Sequence, residues 1–270
     1  MLNIGSFKGK AFVISLTHST ERRKSINEEF SRVNLDFEFI DAVDGRKLVL
    51  KNNPEINYEI IIKSSNWLTP NIIGASFSHL KCYKKIVDEN LDFALIFEDD
   101  IKFNIKNVLN LTENIIKSTL PDSVALLYYQ SFEKITIHHK NGRELGEKTF
   151  SYQVDDLYDL VSGAGYIIGR KSCEKMIKIL LPIHIGPDCW QYCFQKGAFK
   201  NLYILYPMPC STYNFRSTVT NLSIFEKGTL KSKIIHIIDK YKIPLFNQYL
   251  KFRRKKMKKS VQNINLIKIK

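Results

Sequence analysis

Three carboxyl groups stand side by side at Glu98-Asp99-Asp100, directly after the apolar run Phe93-Ala94-Leu95-Ile96-Phe97. Adjacent acids repel one another, and a run of that kind reads as a strand buried on both faces. In open α/β sheets, ligands bind at the carboxyl ends of strands. A divalent cation that prefers hard oxygen would relieve the repulsion and bind diphosphate oxygens at the same time. A solvated acidic turn is the plain alternative, and placement at a strand end favours the ligand-binding reading.

Other positions carry weaker signals. Ser162-Gly163-Ala164-Gly165 lets a backbone approach a ligand and offers its amides to sugar or phosphate. It has one Gly-x-Gly and does not match a Rossmann fingerprint. Asp44-Gly45 is a favourable turn pair. His79 falls on the apolar stripe of its helix, where a hydrogen-bonded core histidine is the ordinary case. The five cysteines, Cys82, Cys173, Cys189, Cys193 and Cys210, are odd in number and lack Cys-x-x-Cys spacing. Reduced thiols are expected there, not zinc ligands or disulfides.

A strand–helix–strand framework must position these groups, and the hydropathy pattern supplies one. Ala11 to Leu16 predicts a buried parallel strand, followed by a polar turn, Thr17-His18-Ser19-Thr20. Ile26, Phe30 and Val33 then recur at helical spacing, and Phe37 to Ile40 is the next strand, ending in Asp41-Ala42-Val43-Asp44-Gly45. Asn52 to Thr69 reads as a polar, irregular segment around Trp67 and is expected to form a loop over a site. From Ile73 to Val87 a helix places Ala75, His79, Cys82 and Ile86 on one face, with Lys81, Lys84, Lys85 and Asp88 on the other. Ser123 to Tyr129 and Asn201 to Tyr206 read as strands, and His138 to Phe150 as a hydrophilic excursion. Cys173, Met176, Ile177, Leu180 and Leu181 mark an amphipathic helix that Pro182 ends. This alternation is of the α/β nucleotide-binding kind.

The chain has 270 residues and a net charge of +14, and the charge is unevenly placed. From Lys227 to Lys270 there are fourteen Lys and Arg against one acid, Asp239, so nearly all of the surplus lies there. Residues 1–226 are nearly neutral, which speaks against a nucleic-acid-binding body and gives no specific nucleic acid as partner. Residues 227–270 interleave Ile, Leu, Phe and Tyr with Lys and Arg, as an interfacial segment on anionic lipid does. A solvated charge run is the alternative. No apolar run reaches the ~18 residues that span a bilayer, and the first ten residues lack a secretory apolar core. A cytoplasmic protein, peripherally attached to the inner face of the cytoplasmic membrane, is expected.

In order, the motifs resemble glycosyltransferase family 25, which includes lipooligosaccharide and collagen galactosyltransferases. The matching residues are Val13-Ile14-Ser15-Leu16 with Glu21-Arg22-Arg23, Asp41-Ala42-Val43-Asp44-Gly45, Gly74, Ser78-His79-Leu80 and Ile96-Phe97-Glu98-Asp99-Asp100. Ser162-Gly163-Ala164-Gly165-Tyr166 and Pro187-Asp188 complete the set, across roughly Ala11 to Ser217. One departure is Asn71-Ile72-Ile73-Gly74-Ala75, where the family often has Gly-Glu-Ile-Gly-Cys.

The resemblance implies a GT-A-type fold, an α/β/α sandwich on a mostly parallel sheet, followed by the basic and partly helical tail. It implies inverting transfer of a sugar, galactose from UDP-galactose as the commonest case, to a lipid-linked saccharide of lipooligosaccharide or lipopolysaccharide. The leaving diphosphate needs a cation, Mn2+ or Mg2+, and the acceptor hydroxyl needs a carboxylate base. Asp100 is then the expected metal ligand, with Glu98 and Asp99 binding metal or donor ribose. Ser15, Arg22, Asp44, Gly45, His79, Ser162, Gly163 and Tyr166 would line the donor site, with Arg23 a second candidate for the diphosphate. Asp188 is the expected base, its alternative being the N-cap of a helix that begins near Cys189. Asp155, Asp156 and Asp159 are rivals, and His184 is a candidate metal ligand beside Asp188.

Two readings of other classes compete. A polyanion- or nucleic-acid-binding protein would act through the tail alone. Another nucleotide-sugar enzyme, a hydrolase or nucleotidyltransferase, would share the acidic strand end but need no acceptor sugar.

Overall fold

A computed structural model describes residues 1–65, 67–119, 122–131, 135–137, 142–154, 160–213 and 267–269. Asp155, Asp156 and Asp159 lie outside the described residues, as does nearly all of the basic segment from Lys227.

The chain opens with a hairpin of β1 (Leu2–Ile4) on the first part of β2 (Phe7–Ser15). Next come α1 (Thr20–Arg32), β3 (Glu38–Asp41), a 3-10 turn (Gly45–Lys47), α2 (Tyr58–Lys63) and α3 (Pro70–Asp88). β4 (Phe93–Glu98), β5 (Ile101–Phe103), α4 (Val108–Thr119), β6 (Ser123–Leu126) and the short β7 (Gln130–Ser131) and β8 (Ile135–Ile137) follow. The remaining elements are β9 (Arg143–Gly146), β10 (Thr149–Gln153), β11 (Leu160–Val161), β12 (Gly165–Gly169), α5 (Arg170–Leu180), α6 (Trp190–Gln195), β13 (Asn201–Tyr206), β14 (Cys210–Thr212) and β15 (Ile267–Ile269).

Nine strands form one sheet in the order β1-β2-β4-β12-β6-β13-β10-β9, with β3 beside the second half of β2. β2, β3, β4, β6, β9 and β13 run one way, and β1, β10 and β12 the other, so the sheet is mostly parallel in direction.

Side-chain alternation along the central strands builds the layers. Phe12, Ile14, Ala94 and Ile96 face α3, α5 and α6, where they meet Ile73, Leu80, Tyr83, Cys173, Met176 and Trp190. Ala11, Val13, Phe93, Leu95 and Phe97 face α1 and α4, meeting Ile26, Phe30, Leu111 and Ile115. Both faces are covered, which is why β2 and β4 read as continuous apolar runs. The architecture is the expected α/β/α sandwich. Thr69 starts α3 by accepting the Ile72 N–H (3.4 Å), with Pro70 at the first helical position.

Two segments differ from the sequence expectation. The supposed loop Asn52 to Thr69 contains α2, capped by Asn57 and anchored by the fully buried Ile61. The excursion near Phe150 is the hairpin of β9 and β10, which extends the main sheet along β13. Its inward residues include Thr149 and Ser151, so hydropathy gave no strand signal.

Register brings the motifs to one edge. β3, β2 and β4 are parallel, pairing Ser15 with Asp41 and Ile14 with Glu98, so their carboxyl ends lie side by side. β12 runs against β4, with Gly165 opposite Phe97, and therefore delivers Ser162 to Ala164 to that same edge from the opposite direction.

Candidate active site

A cleft opens at this edge, walled by Ser15 at the end of β2, Arg22 in α1, Val43 to Arg46 after β3, Asn71, Ala75, Ser78 and His79 on α3, Glu98 at the end of β4, and Asp99 and Asp100 after it. The three acids take different roles. Asp99 is buried and fully engaged: Ser15 Oγ donates to Oδ2 (2.7 Å) and Arg22 Nη1 to Oδ1 (2.5 Å). It therefore fixes Arg22 in the cleft wall, leaving Glu98 and Asp100 as the acids open to a ligand. Asp100 Oδ1 is buried with no hydrogen-bond partner among the described residues. Burial, then the neighbouring Glu98 charge, push the Asp100 carboxyl up to about 7 despite the opposing Arg22.

The Asp44-Gly45 turn is seated by close packing. A Cβ on Gly45 would meet the Pro70 carbonyl oxygen at 2.0 Å, and one on Gly74 would meet the Val43 oxygen at 2.6 Å. Ser78 Oγ accepts the Val43 N–H (2.8 Å) and donates to the Gly74 carbonyl (2.7 Å). Asp44 pairs with Arg46, whose guanidinium holds the carboxyl down to about 2. Gly45, Gly74 and Ser78 thus serve one junction, the docking of α3 on the turn after β3.

His79 is buried at the floor of the cleft, with Nδ1 at 2.8 Å from Tyr166 Oη and Nε2 at 3.6 Å from Glu98 Oε1. Tyr166, expected at the donor site, is fully buried in β12; its hydroxyl meets His79 and Tyr83 and does not reach the cleft. Gly163 closes over His79, where a Cβ would come within 3.0 Å of Cε1.

Ser162 has φ 97°, a strained left-handed backbone for a residue with a side chain. Two bonds hold it: its N–H donates to Asp188 Oδ2 (2.9 Å), and its carbonyl accepts from Trp190 Nε1 (3.1 Å). Asp188 is half-buried and does not cap α6 through its side chain. Burial raises its carboxyl, and Glu98 adds to the shift against the pull of the Ser162 amide.

Two other expectations meet different surroundings. Arg23 turns away, bonding Asp41 and the Ser15 carbonyl and lying over the Phe39 ring, so of these two neighbours it is Arg22 that reaches the cleft. Both ring nitrogens of His184 are occupied, Nδ1 by the Pro182 carbonyl (2.8 Å) and Nε2 by Tyr192 Oη (2.9 Å), which leaves none for a metal. All five cysteines are free thiols, and burial raises each of them.

Sequence reasoning missed Arg46 as a cleft residue and Tyr83 as the partner of Tyr166. The signal for Tyr83 was its position four residues after His79, on the same helix face.

No three metal-ligating side chains cluster among the described residues. The donor chemistry of Glu98 and Asp100 nonetheless fits a hard divalent cation, which commonly takes one or two carboxylates and completes its shell with water and substrate phosphate. The partnerless Asp100 oxygen and the mutual repulsion of the two acids are what such an ion would satisfy. No helix of the described residues is long and apolar enough to cross a membrane.

A family model described as glycosyltransferase family 25 (LPS biosynthesis protein) matches residues 8–191. A putative glycosyltransferase of Haemophilus influenzae is 34% identical over 182 residues, covering 66% of this chain and 60% of that protein. Human procollagen galactosyltransferase 2 is 25% identical over 187 residues, covering 64% of this chain and 29% of that one. The chain thus spans less than two thirds of either relative. The lipooligosaccharide biosynthesis protein lic2B of Haemophilus influenzae is 25% identical over 272 residues, covering 89% of this chain and 94% of its own length.

Proposed function

Because the chain belongs to glycosyltransferase family 25, we propose that it transfers a sugar, galactose from UDP-galactose, to a saccharide of lipooligosaccharide or lipopolysaccharide with inversion at the anomeric carbon. The observation that carries this reading is the strand-end cleft in which Asp100, whose Oδ1 has no hydrogen-bond partner among the described residues, lies with Glu98, Arg22 and the turn Val43 to Arg46. An acidic pair beside a fixed guanidinium suits a cation-bound diphosphate better than a nucleic-acid backbone.

In this reading, Asp100 and Glu98 hold Mn2+ or Mg2+, which would supply positive charge to the leaving diphosphate. Arg22 adds a second positive group, held in place by Asp99 so that little reorganisation is needed as charge develops. Val43 to Arg46 accommodate the nucleoside. Asp188 receives the proton of the acceptor hydroxyl; burial and Glu98 raise its proton affinity, as a base requires. The basic segment 227–270 attaches the enzyme to anionic lipid on the cytoplasmic membrane face, where a lipid-linked acceptor resides.

Calorimetric titration of UDP with and without Mn2+ tests the donor site. Metal-dependent binding that weakens at least about 100-fold in Asp100→Ala is the expected result. UDP binding that ignores both metal and substitution would sink the assignment. A product formed only when a saccharide acceptor is added separates a transferase from a nucleotide-sugar hydrolase.

A further inference from the structure

Behind the cleft, three buried polar side chains stand in line. Tyr83 Oη lies 2.8 Å from Tyr166 Oη, and Tyr166 Oη lies 2.8 Å from His79 Nδ1. All three residues are at most 1% exposed. The other ring nitrogen, Nε2, has no hydrogen-bond partner among the described residues and sits 3.6 Å from Glu98 Oε1. A Cβ on Gly163 would come within 3.2 Å of that nitrogen, so the absence of a side chain lets the backbone pack over the imidazole edge beside Glu98.

Each tyrosine hydroxyl has one proton to give, and a neutral imidazole has one N–H. A neutral ring has two tautomers, and both are consistent with the distances. In the first, Tyr83 donates to Tyr166, Tyr166 donates to Nδ1, and Nε2–H points at the Glu98 carboxylate. In the second, Nδ1–H donates to Tyr166, and Tyr166 then donates to Tyr83 or accepts from it. Either way one tyrosine proton is stranded in the core, and the lone pair of Nε2 faces a carboxylate. Buried donors without acceptors are costly and rare, and a lone pair against a carboxylate adds repulsion. The first arrangement strands no tyrosine proton in the core and turns Nε2–H toward the Glu98 carboxylate at 3.6 Å.

We propose that Tyr166, backed by Tyr83, is a positioning residue that sets the tautomer of His79, so that Nε2–H faces Glu98 and the cleft. The inference deepens the transferase reading and rests on it only for the consequence for turnover. His79 Nε2–H then orients Glu98, whose charge acts on both Asp100 and Asp188.

Nitrogen-15 NMR of the full chain labelled at histidine tests this at mildly alkaline pH, where an unperturbed imidazole is neutral. The His79 signal is assigned by its loss in His79→Asn. The expected spectrum has a protonated Nε2 and a bare Nδ1, both in the wild type and in Glu98→Gln, where the carboxylate no longer biases the ring. Adding Tyr166→Phe to Glu98→Gln should raise the Nδ1–H population at least about tenfold. A proton on Nδ1 in the wild type, or populations unmoved by Tyr166→Phe, overturns the proposal. The wild-type spectrum does not depend on Tyr166→Phe and decides even if that variant fails to fold. With donor and acceptor present, Tyr166→Phe alone should lower kcat about tenfold, with the donor KM within about twofold. Absence of transfer by the wild type would count against the transferase reading and leave the spectrum to decide the tautomer.

Discussion

Asp188 holds the Ser162 amide through one oxygen, and the same carboxylate is the base proposed for the acceptor hydroxyl. One pair of substitutions separates the two contributions. Asp188→Asn keeps an oxygen for the amide and removes the base, so kcat should fall by about 10²–10⁴ with UDP affinity and melting temperature nearly unchanged. Asp188→Ala frees the strained Ser162 as well and should also cost about 1–3 kcal/mol of stability in denaturant titration. Equal turnover in Asp188→Asn and wild type would pass the base to another carboxylate. Asp100 makes the opposite demand. A carboxyl raised in the folded state to about 7 favours folding at low pH, and that contribution is lost as pH rises from about 4 through about 7. The metal-free Asp100→Asn protein should therefore be more stable than wild type at pH 8, by about 2 kcal/mol after allowance for solvent screening. Thermal unfolding in chelator checks this, and a less stable variant would show that the site carries no such strain.

Among the elements, the docking of α3 on the turn after β3 decides whether the cleft exists. Gly74 permits it sterically, and Ser78 supplies the hydrogen bond that the Val43 N–H needs. Gly74→Ala would force the helix and the Val43 carbonyl apart, because the obstructing atom is backbone and cannot rotate away. The expected cost is about 1–3 kcal/mol, with UDP affinity down at least about tenfold. Calorimetry on the folded variant reads both changes, and unaltered binding would mean that the turn does not touch the nucleoside.

Across the whole molecule, Glu29 ties the first helix to distant parts of the chain. It accepts from Arg32, from the Phe103 N–H (2.7 Å) and from the Tyr213 hydroxyl (3.2 Å). Burial alone would raise its carboxyl, but these donors outweigh it and the net shift is downward. A depressed folded-state pKa contributes stability above the unfolded value and loses it as pH falls through the folded one. Glu29→Gln should cost about 2 kcal/mol at pH 7, and the deficit should shrink below about pH 4. Urea titrations at the two pH values check it. On the same scale, the full chain should bind vesicles containing anionic lipid, and binding should fall steeply as salt rises to about 0.5 M. Equal binding to neutral vesicles would remove the electrostatic attachment.

The sequence by itself determined the alternating framework, the strand that ends in Glu98-Asp99-Asp100 and the motifs that the cleft gathers. Apolar runs and helical spacing are local signals, and a buried strand must show them whatever its neighbours are. It did not reveal α2, a six-residue helix around Ile60-Ile61-Ile62 too short for a helical period to show, or the β9–β10 hairpin, whose inward Thr149 and Ser151 carry no hydropathy signature. Only the tertiary structure decided what each acid does. Asp99 is satisfied by Ser15 and Arg22, while Asp100 has an oxygen without a partner among the described residues. The same holds for Tyr166, which matches the motif yet faces His79 and Tyr83 inside the sandwich. Adjacent residues of one chemical type differ in role through their partners, and those partners come from β2, α1 and α3, fixed by strand register and helix packing and not by spacing along the chain.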